Sequence, residues 1–307
     1  MELHPFPFQK VKVAYFSGTG GTEHVAGCFV QALGRHGAQT VPVLIRAGDT
    51  YENDGEDFLL LLFAVHAANA PEPVYTWLKS MGVAGAKPPA AVISVSGGGE
   101  ISPNTACRSS SIRRLEKIGC PVRLEEMLIM PPNLFLETDP ALCGRILNIL
   151  PQKVERILNA LETGAPSVKK PKLIDRFLSR IFEMEKLGCR FYARTINRTE
   201  ACNGCGLCAR ECPGRNIAME NGKPRFQTKC LLCLRCIYRC PQKALRPRFA
   251  KKAVLSGGYD IAAMLKVADE ELPCDIEKAA KGWLWKGVRT YLLEEQVTIS
   301  SDTDISK

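Results

Sequence analysis

The chain has 307 residues, 46% of them hydrophobic and 24% charged, which is enough for two domains with a sizeable core in the larger. No apolar run reaches the length of a membrane span, and residues 1–10 lack the apolar stretch of a secretory signal, so a soluble cytoplasmic protein is expected. The net charge of +9 is uneven: residues 1–165 carry 14 basic and 16 acidic side chains, residues 166–307 carry 27 and 16. No aromatic-interleaved basic groove or helix-turn-helix pattern accompanies the basic half, so nucleic acid is not the expected partner.

Strand and helix patterns alternate along residues 11–165. A β-branched and aromatic run at 11–16 leads to a glycine-rich turn, a helix over 22–35 and a second strand at 40–45. Residues 58–65 are almost wholly apolar, as a central parallel strand covered on both faces must be. A helix at 73–81, a strand at 90–96, a helix at 102–118, a strand at 122–130 and a closing helix at 140–161 complete the pattern. Five strands with intervening helices predict an α/β, doubly wound parallel sheet.

The turn after the first strand reads Ser17-Gly18-Thr19-Gly20-Gly21-Thr22. No Gly-Lys-Ser/Thr follows, so it is not a P-loop, and Glu23 stands where a dinucleotide fingerprint needs its third glycine. Hydroxyls and small residues at a helix N-terminus suit a phosphate monoester. Backbone N–H groups of 18–22 and the hydroxyls of Ser17, Thr19 and Thr22 can hold a dianion without a cation. The pattern resembles the FMN phosphate loop of flavodoxins. That resemblance implies a flavodoxin-like FMN domain over residues 1–165. It also implies ring contacts from the loops closing the third and fourth strands, His66, Ala67, Ala68 and Asn69, and Gly97, Gly98 and Gly99. Neither loop holds the aromatic that flavodoxins commonly stack on the ring. His66 either faces the ring, tuning the flavin or delivering a proton, or is only a polar residue closing its strand.

Pro166, Pro171 and three lysines between 164 and 172 mark a domain boundary, with a basic linker over 166–198. Within it Leu173, Ile174, Phe177, Leu178, Ile181, Phe182 and Met184 recur at helical spacing beside Arg176, Arg180 and Lys186. Such a stripe can lie on a membrane; an inter-domain docking face is the expectation here.

Two copies of one cysteine run follow, 28 residues apart: Cys202-x2-Cys205-x2-Cys208-x3-Cys212-Pro213 and Cys230-x2-Cys233-x2-Cys236-x3-Cys240-Pro241. This is the bacterial run for cubane iron–sulfur clusters, in which three evenly spaced cysteines let one loop wrap three corners of a cube. Structural zinc, the alternative, ordinarily uses separated cysteine pairs. Resemblance to two-cluster ferredoxins implies that Cys202, Cys205, Cys208 and Cys240 hold one [4Fe-4S] cluster and Cys230, Cys233, Cys236 and Cys212 the other, in an α+β ferredoxin domain over 199–250. Asn221-Gly222 between the runs predicts a hairpin. Thiolate ligands must stay reduced, which again points to the cytosol, and exposed clusters suit anaerobic life. Arg210, Arg215, Arg235, Arg239 and Lys229 beside the ligands tune the clusters, form a docking patch or are simply solvated. Two oxidised clusters of about −2 each offset part of the basic charge. The remaining extension, 251–307, is expected to be helical over 275–295, with Trp283, Trp285 and Tyr291 packed on the domain, and frayed from 298.

Taken together, the SGTGGT loop, the strand-five exit Met130-Pro131-Pro132-Asn133 and the twin cysteine runs resemble the EFR1-type flavodoxin–ferredoxin fusions of anaerobic bacteria. The resemblance implies an electron-transfer protein carrying FMN and two [4Fe-4S] clusters, with redox-protein partners that present an acidic docking face. The alternatives are a ferredoxin-fed FMN reductase of a small unsaturated or oxidised substrate, and a cluster scaffold with an empty flavodoxin-like domain.

Overall fold

Five strands, β1 (Lys10–Phe16), β2 (Gln39–Leu44), β3 (Phe58–Ala64), β4 (Ala90–Ser96) and β5 (Val122–Ile129), form one parallel sheet in the order 2-1-3-4-5 in the computed structural model. The structure describes residues 6–164, 167–183, 189, 192–249 and 251–294. Each strand lies within one residue of its expected bounds, because apolar runs between turn residues are a local signal. β3 is central and buried on both faces. Phe58, Leu60 and Leu62 pack with α1 (Gly21–Arg35) and α5 (Leu150–Glu162), while Leu59, Leu61 and Phe63 pack beneath α2 (Glu72–Ser80) and α3 (Ser109–Lys117). Each such side chain contributes about 1.5–3 kcal/mol through burial. This sheet order with helices on both faces is flavodoxin-like.

The helices depart from expectation in three places. The helix expected over 102–118 opens as a 3-10 turn, Asn104–Ala106, before α3. Side-chain chemistry competes there: Ser102 and Thr105 donate to Asp175, and Arg108 folds inward to a buried carboxylate. The closing helix is two, α4 (Pro140–Asn148) and α5, broken at Ile149, because Pro151 lacks the N–H that a continuous helix needs.

The third departure concerns α6 (Leu173–Glu183), expected to dock through its apolar stripe. Its polar edge docks instead. Asp175 accepts from Ser102 Oγ at 2.5 Å and Thr105 Oγ1 at 2.7 Å, and Ser179 Oγ donates to Ala68 O at 3.1 Å, while Leu173, Ile174, Phe177 and Ile181 face outward. Met184 and Lys186 lie outside the described residues. The two hydroxyl donors hold the Asp175 carboxyl below its ordinary range. A depressed folded value means that the clamp is at full strength above about pH 4 and is lost as pH falls through that lower value. Amide exchange across α6 should therefore accelerate below about pH 4, and Asp175→Asn should remove that acid-dependent step; an unchanged profile would exclude the clamp.

The cysteine-bearing segment is built on two small antiparallel ribbons. β6 (Ile196–Arg198) pairs with β9 (Leu245–Pro247), and β7 (Ile217–Glu220) pairs with β8 (Lys223–Phe226) across Asn221 (φ 49°) and Gly222 (φ 71°). Two left-handed central residues are what a two-residue hairpin requires. The extension after 250 packs on the flavodoxin-like domain. A helix within that extension, Ile261–Asp269, is capped by Asp260 and lies on α4, where a Cβ at Gly144 would stand 3.3 Å from the Ala268 Cα. The helix expected over 275–295 is instead a short turn, Ile276–Ala279, a 3-10 turn, Trp283–Trp285, and a helix at 286–294. Trp285 and Tyr291 are partly buried as expected, but Trp283 is exposed. Residues 298–307 lie outside the described residues.

Candidate flavin and cluster sites

A cavity of about 630 Å³ opens at the carboxyl ends of β1, β3 and β4, where strand order reverses between β1 and β3. That volume falls within the range of small-molecule sites, and the position is where open α/β sheets place ligands. Ser17, Gly18, Thr19, Gly21 and Thr22 form one wall, and His66, Ala67 and Gly97 line it from the next two loops. The cysteine-bearing domain lines the same cavity with Gly214, Lys229, Cys230, Leu231 and Leu232.

Local chemistry shapes the first wall. Ser17 Oγ accepts the N–H groups of Gly20 at 3.2 Å and Glu23 at 3.3 Å, and Gly20, at φ 109°, makes the left-handed step into α1. Thr19 Oγ1 accepts from Asn133 Nδ2 at 3.0 Å, which leaves the threonine hydrogen to donate elsewhere. The loop thus offers hydroxyls and a helix N-terminus to an anion, and fits a phosphate monoester. Thr19→Glu should expel a bound flavin by charge repulsion, lowering the flavin-to-protein ratio of purified protein about tenfold or more; a normal ratio would exclude this loop as the phosphate site.

The other expected ring contacts divide. His66 and Asn69 close a tight turn with reciprocal backbone bonds of 2.8 and 3.0 Å, and Ala67 and Ala68 between them sit at φ 48° and 51°. The Phe16 and His66 rings meet edge-on at 5.6 Å. Ala68 and Asn69 do not line the cavity. Asn69 Nδ2 donates to Ala67 O at 2.9 Å and Ser179 O at 2.8 Å, tying the turn to α6. Gly98 and Gly99 also lie apart: Ser96 Oγ accepts both N–H groups, and Gly287 of the C-terminal extension seats against them so closely that a Cβ there would stand 2.2 Å from Gly98 O. Sequence reasoning missed Phe135 and Cys189, both on the cavity wall. Phe135 is 64% exposed at φ 66°, and supplies the aromatic that the two expected loops lack.

The cysteines gather in two quartets around two smaller hollows. Cys202, Cys205, Cys208 and Cys240 ring one; Cys212, Cys230, Cys233 and Cys236 ring the other. Among the described residues no three His, Cys, Asp or Glu side chains converge on a single-ion site. Sulfurs spread around a hollow fit a polynuclear group. Backbone N–H groups of Asn216, Leu232 and Ala244 donate to Cys212, Cys230 and Cys240 sulfurs at 3.3–3.4 Å, stabilising thiolates. Burial pushes the Cys230 thiol to about 11 and the Cys233 thiol to about 12.

The second quartet abuts the phosphate loop. A Cβ on Gly18 would stand 2.8 Å from the Cys233 Cβ, and Arg235 Nη1 donates to Gly18 O at 2.9 Å. Asn133 Nδ2 reaches Cys233 O at 3.4 Å, and the Tyr238 hydroxyl donates to Asn133 O at 2.8 Å. Ala47 N–H donates to Pro213 O at 2.8 Å, and Arg215 pairs with Asp49 at 2.6 Å. Arg235 and Arg239 both pair with Glu211, and Arg210 donates to Cys205 O, so four of the five basic residues near the ligands are engaged within the chain.

Residues 194–241 match the 4Fe-4S dicluster domain family. No curated protein matches the chain. Solved structures similar to it include a flavodoxin from the domain Archaea, 15% identical over 51% of this chain and 99% of that one with a TM-score of 0.37. Oxidised flavodoxin 1 from Bacillus cereus is 14% identical over 50% and 96%, with a TM-score of 0.39. A flavodoxin from Streptococcus pneumoniae TIGR4 is 14% identical over 49% and 98%, with a TM-score of 0.36.

Proposed function

Because one chain joins a flavodoxin-like sheet to a segment matching the 4Fe-4S dicluster domain, we propose that it is an electron-transfer protein of anaerobic redox metabolism, carrying FMN and two [4Fe-4S] clusters. One observation carries this reading: Cys230, Leu231 and Leu232 line the same cavity as the phosphate loop. When bound, FMN exchanges one or two electrons and each cluster exchanges one, so their combination converts single-electron traffic into pairs.

The residues have distinct tasks. Ser17, Thr19 and Thr22 hold the phosphate with backbone N–H groups, and Phe135 offers the ring an apolar face. Cys202, Cys205, Cys208 and Cys240 hold the outer cluster, which shares no lining residue with the flavin cavity; Cys212, Cys230, Cys233 and Cys236 hold the inner one. Arg235, Asn133 and Tyr238 fix the inner cysteine loop against the phosphate loop, and Leu231 and Leu232 keep water from the space between. Electrons therefore pass between a redox partner and the flavin by way of the outer and then the inner quartet. The protein's contribution is distance and fixed orientation. A second reading, a reductase of a small substrate, is favoured by Glu72, Thr76 and Thr228 on the cavity wall, polar groups suited to a further molecule.

Anaerobically purified protein should contain about eight irons and one flavin. About four irons, or stoichiometric zinc, would remove the two-cluster assignment. Oxidation of the reduced protein only by other redox proteins supports the carrier; rapid turnover of a small oxidised acceptor replaces it with the reductase.

A further inference from the structure

The surface of α6 is built the opposite way to an ordinary amphipathic helix on a globular protein. Its small polar side chains, Asp175 and Ser179, are buried against the loops after β3 and β4. Four of its six large apolar side chains face out, Leu173 at 79%, Ile174 at 58%, Phe177 at 60% and Ile181 at 45% exposure, while Leu178 and Phe182 are half-buried. At 3.6 residues per turn these four fall on one side of the helix, and Arg176 and Arg180 run along one edge of that stripe. Lys170 and Lys172, also exposed, lead into its first turn. No acidic residue stands within the stripe.

Leaving four large apolar side chains in water is unfavourable, so the pattern calls for an occupant. A second copy of the chain is disfavoured, because it would bring two strongly basic segments together. An acidic protein would satisfy the charge, but an eleven-residue helix is only about 16 Å long. Its stripe falls well short of the roughly 800 Å² per partner that a specific protein interface uses. A lipid surface needs no such area. It asks for apolar side chains on one face, with cations beside them that reach the headgroups on flexible stems. We propose that α6 is a reversible seat for an anionic membrane surface, its apolar stripe entering the acyl boundary and Lys170, Lys172, Arg176 and Arg180 meeting anionic headgroups. The buried polar edge would then hold the loops carrying His66, Ala67 and Gly97 at a fixed distance from that surface. Among the described residues no helix is long and apolar enough to cross a membrane, so the attachment is peripheral. The proposal rests on the orientation of α6 and stands apart from the electron-transfer reading.

The test is flotation of anaerobically purified holoprotein with vesicles of phosphatidylcholine, with and without phosphatidylglycerol. The protein should float with the phosphatidylglycerol vesicles and much less with phosphatidylcholine alone, and added salt should weaken binding. Phe177→Asp with Ile181→Asp should reduce binding by about 30-fold or more. Arg176→Gln with Arg180→Gln should reduce it by about fivefold for each charge removed. Iron and flavin contents unchanged in both variants would show that the fold is intact. Absence of flotation, or flotation unaffected by the paired aspartates, would overturn the proposal and leave an acidic protein as the occupant.

Discussion

Replacing Gly18 with valine should separate the two halves of the proposed electron path. A Cβ at this position would stand 2.8 Å from the Cys233 Cβ, well inside the roughly 3.5–4.0 Å at which carbons rest. Neither side can yield easily. Gly18 O is held by Arg235, and the Cys233 carbonyl by Asn133, while its sulfur is one of the four in the inner quartet. The inner cysteine loop must therefore move away from the phosphate loop, which lengthens the gap between the inner quartet and the cavity and slows transfer across it. The expected result is slow flavin reduction and a lowered flavin content, with the outer cluster unaltered, since its hollow shares nothing with this contact. Stopped-flow absorbance with a one-electron reductant reads the rate, and low-temperature paramagnetic resonance reads each cluster. A Gly18→Val protein with ordinary flavin content and flavin reduction would show that the loop contact does not set the path.

Arg108→Met should strongly destabilise the flavodoxin-like domain. Arg108 is completely buried, and its guanidinium donates to Glu125 at 2.9 Å, Ser94 at 2.7 Å and Glu100 at 2.6 Å. Methionine fills similar volume but leaves the buried Glu125 carboxylate, among the described residues, with the Lys169 N–H at 2.8 Å in place of the guanidinium. Removing one partner of a buried pair costs about 3–5 kcal/mol, which lowers Tm by roughly 10 °C in a domain of this size. Arg108→Met combined with Glu125→Gln should recover a large part of the loss, because the residual charge is gone. Thermal unfolding followed by far-ultraviolet circular dichroism decides it; a loss below about 1 kcal/mol would mean that water reaches the pair.

Features carried by neighbouring residues were legible in the sequence. The all-apolar run of β3, the Asn221-Gly222 hairpin and the hydroxyl-rich turn after β1 each follow from the conformational preferences of a few adjacent residues. Features set by distant partners were not. The apolar period of residues 173–182 showed that a helix forms, but a period alone carries no information about which side meets the protein. Two short hydroxyls, Ser102 and Thr105, decided that by binding Asp175. Gly98 and Gly99 read as flavin contacts because glycines at a strand end suit a cofactor; they in fact receive Gly287, nearly two hundred residues onward. Phe135 was overlooked because its place on the cavity wall depends on how the segment after β5 folds back, with its N–H donated to Ala253 O at 3.0 Å.

By itself the sequence determined the chemistry. Cysteine spacing within a single loop sets where three sulfurs can stand, and the run from Ser17 to Thr22 sets the hydroxyls and N–H groups available to an anion. Neither needs the rest of the molecule. Only the tertiary structure decided the order of the centres. The two cysteine runs have the same spacing and each ends in Cys-Pro, so the spacing does not say which lies nearer the cavity. The second lies against the cavity lined by the 17–22 loop because Gly18 lacks a side chain where Cys233 approaches, and because Arg235 and Asn133 hold that approach in place. Which quartet is inner, and which way α6 turns its apolar side, are properties of packing between segments far apart in the chain.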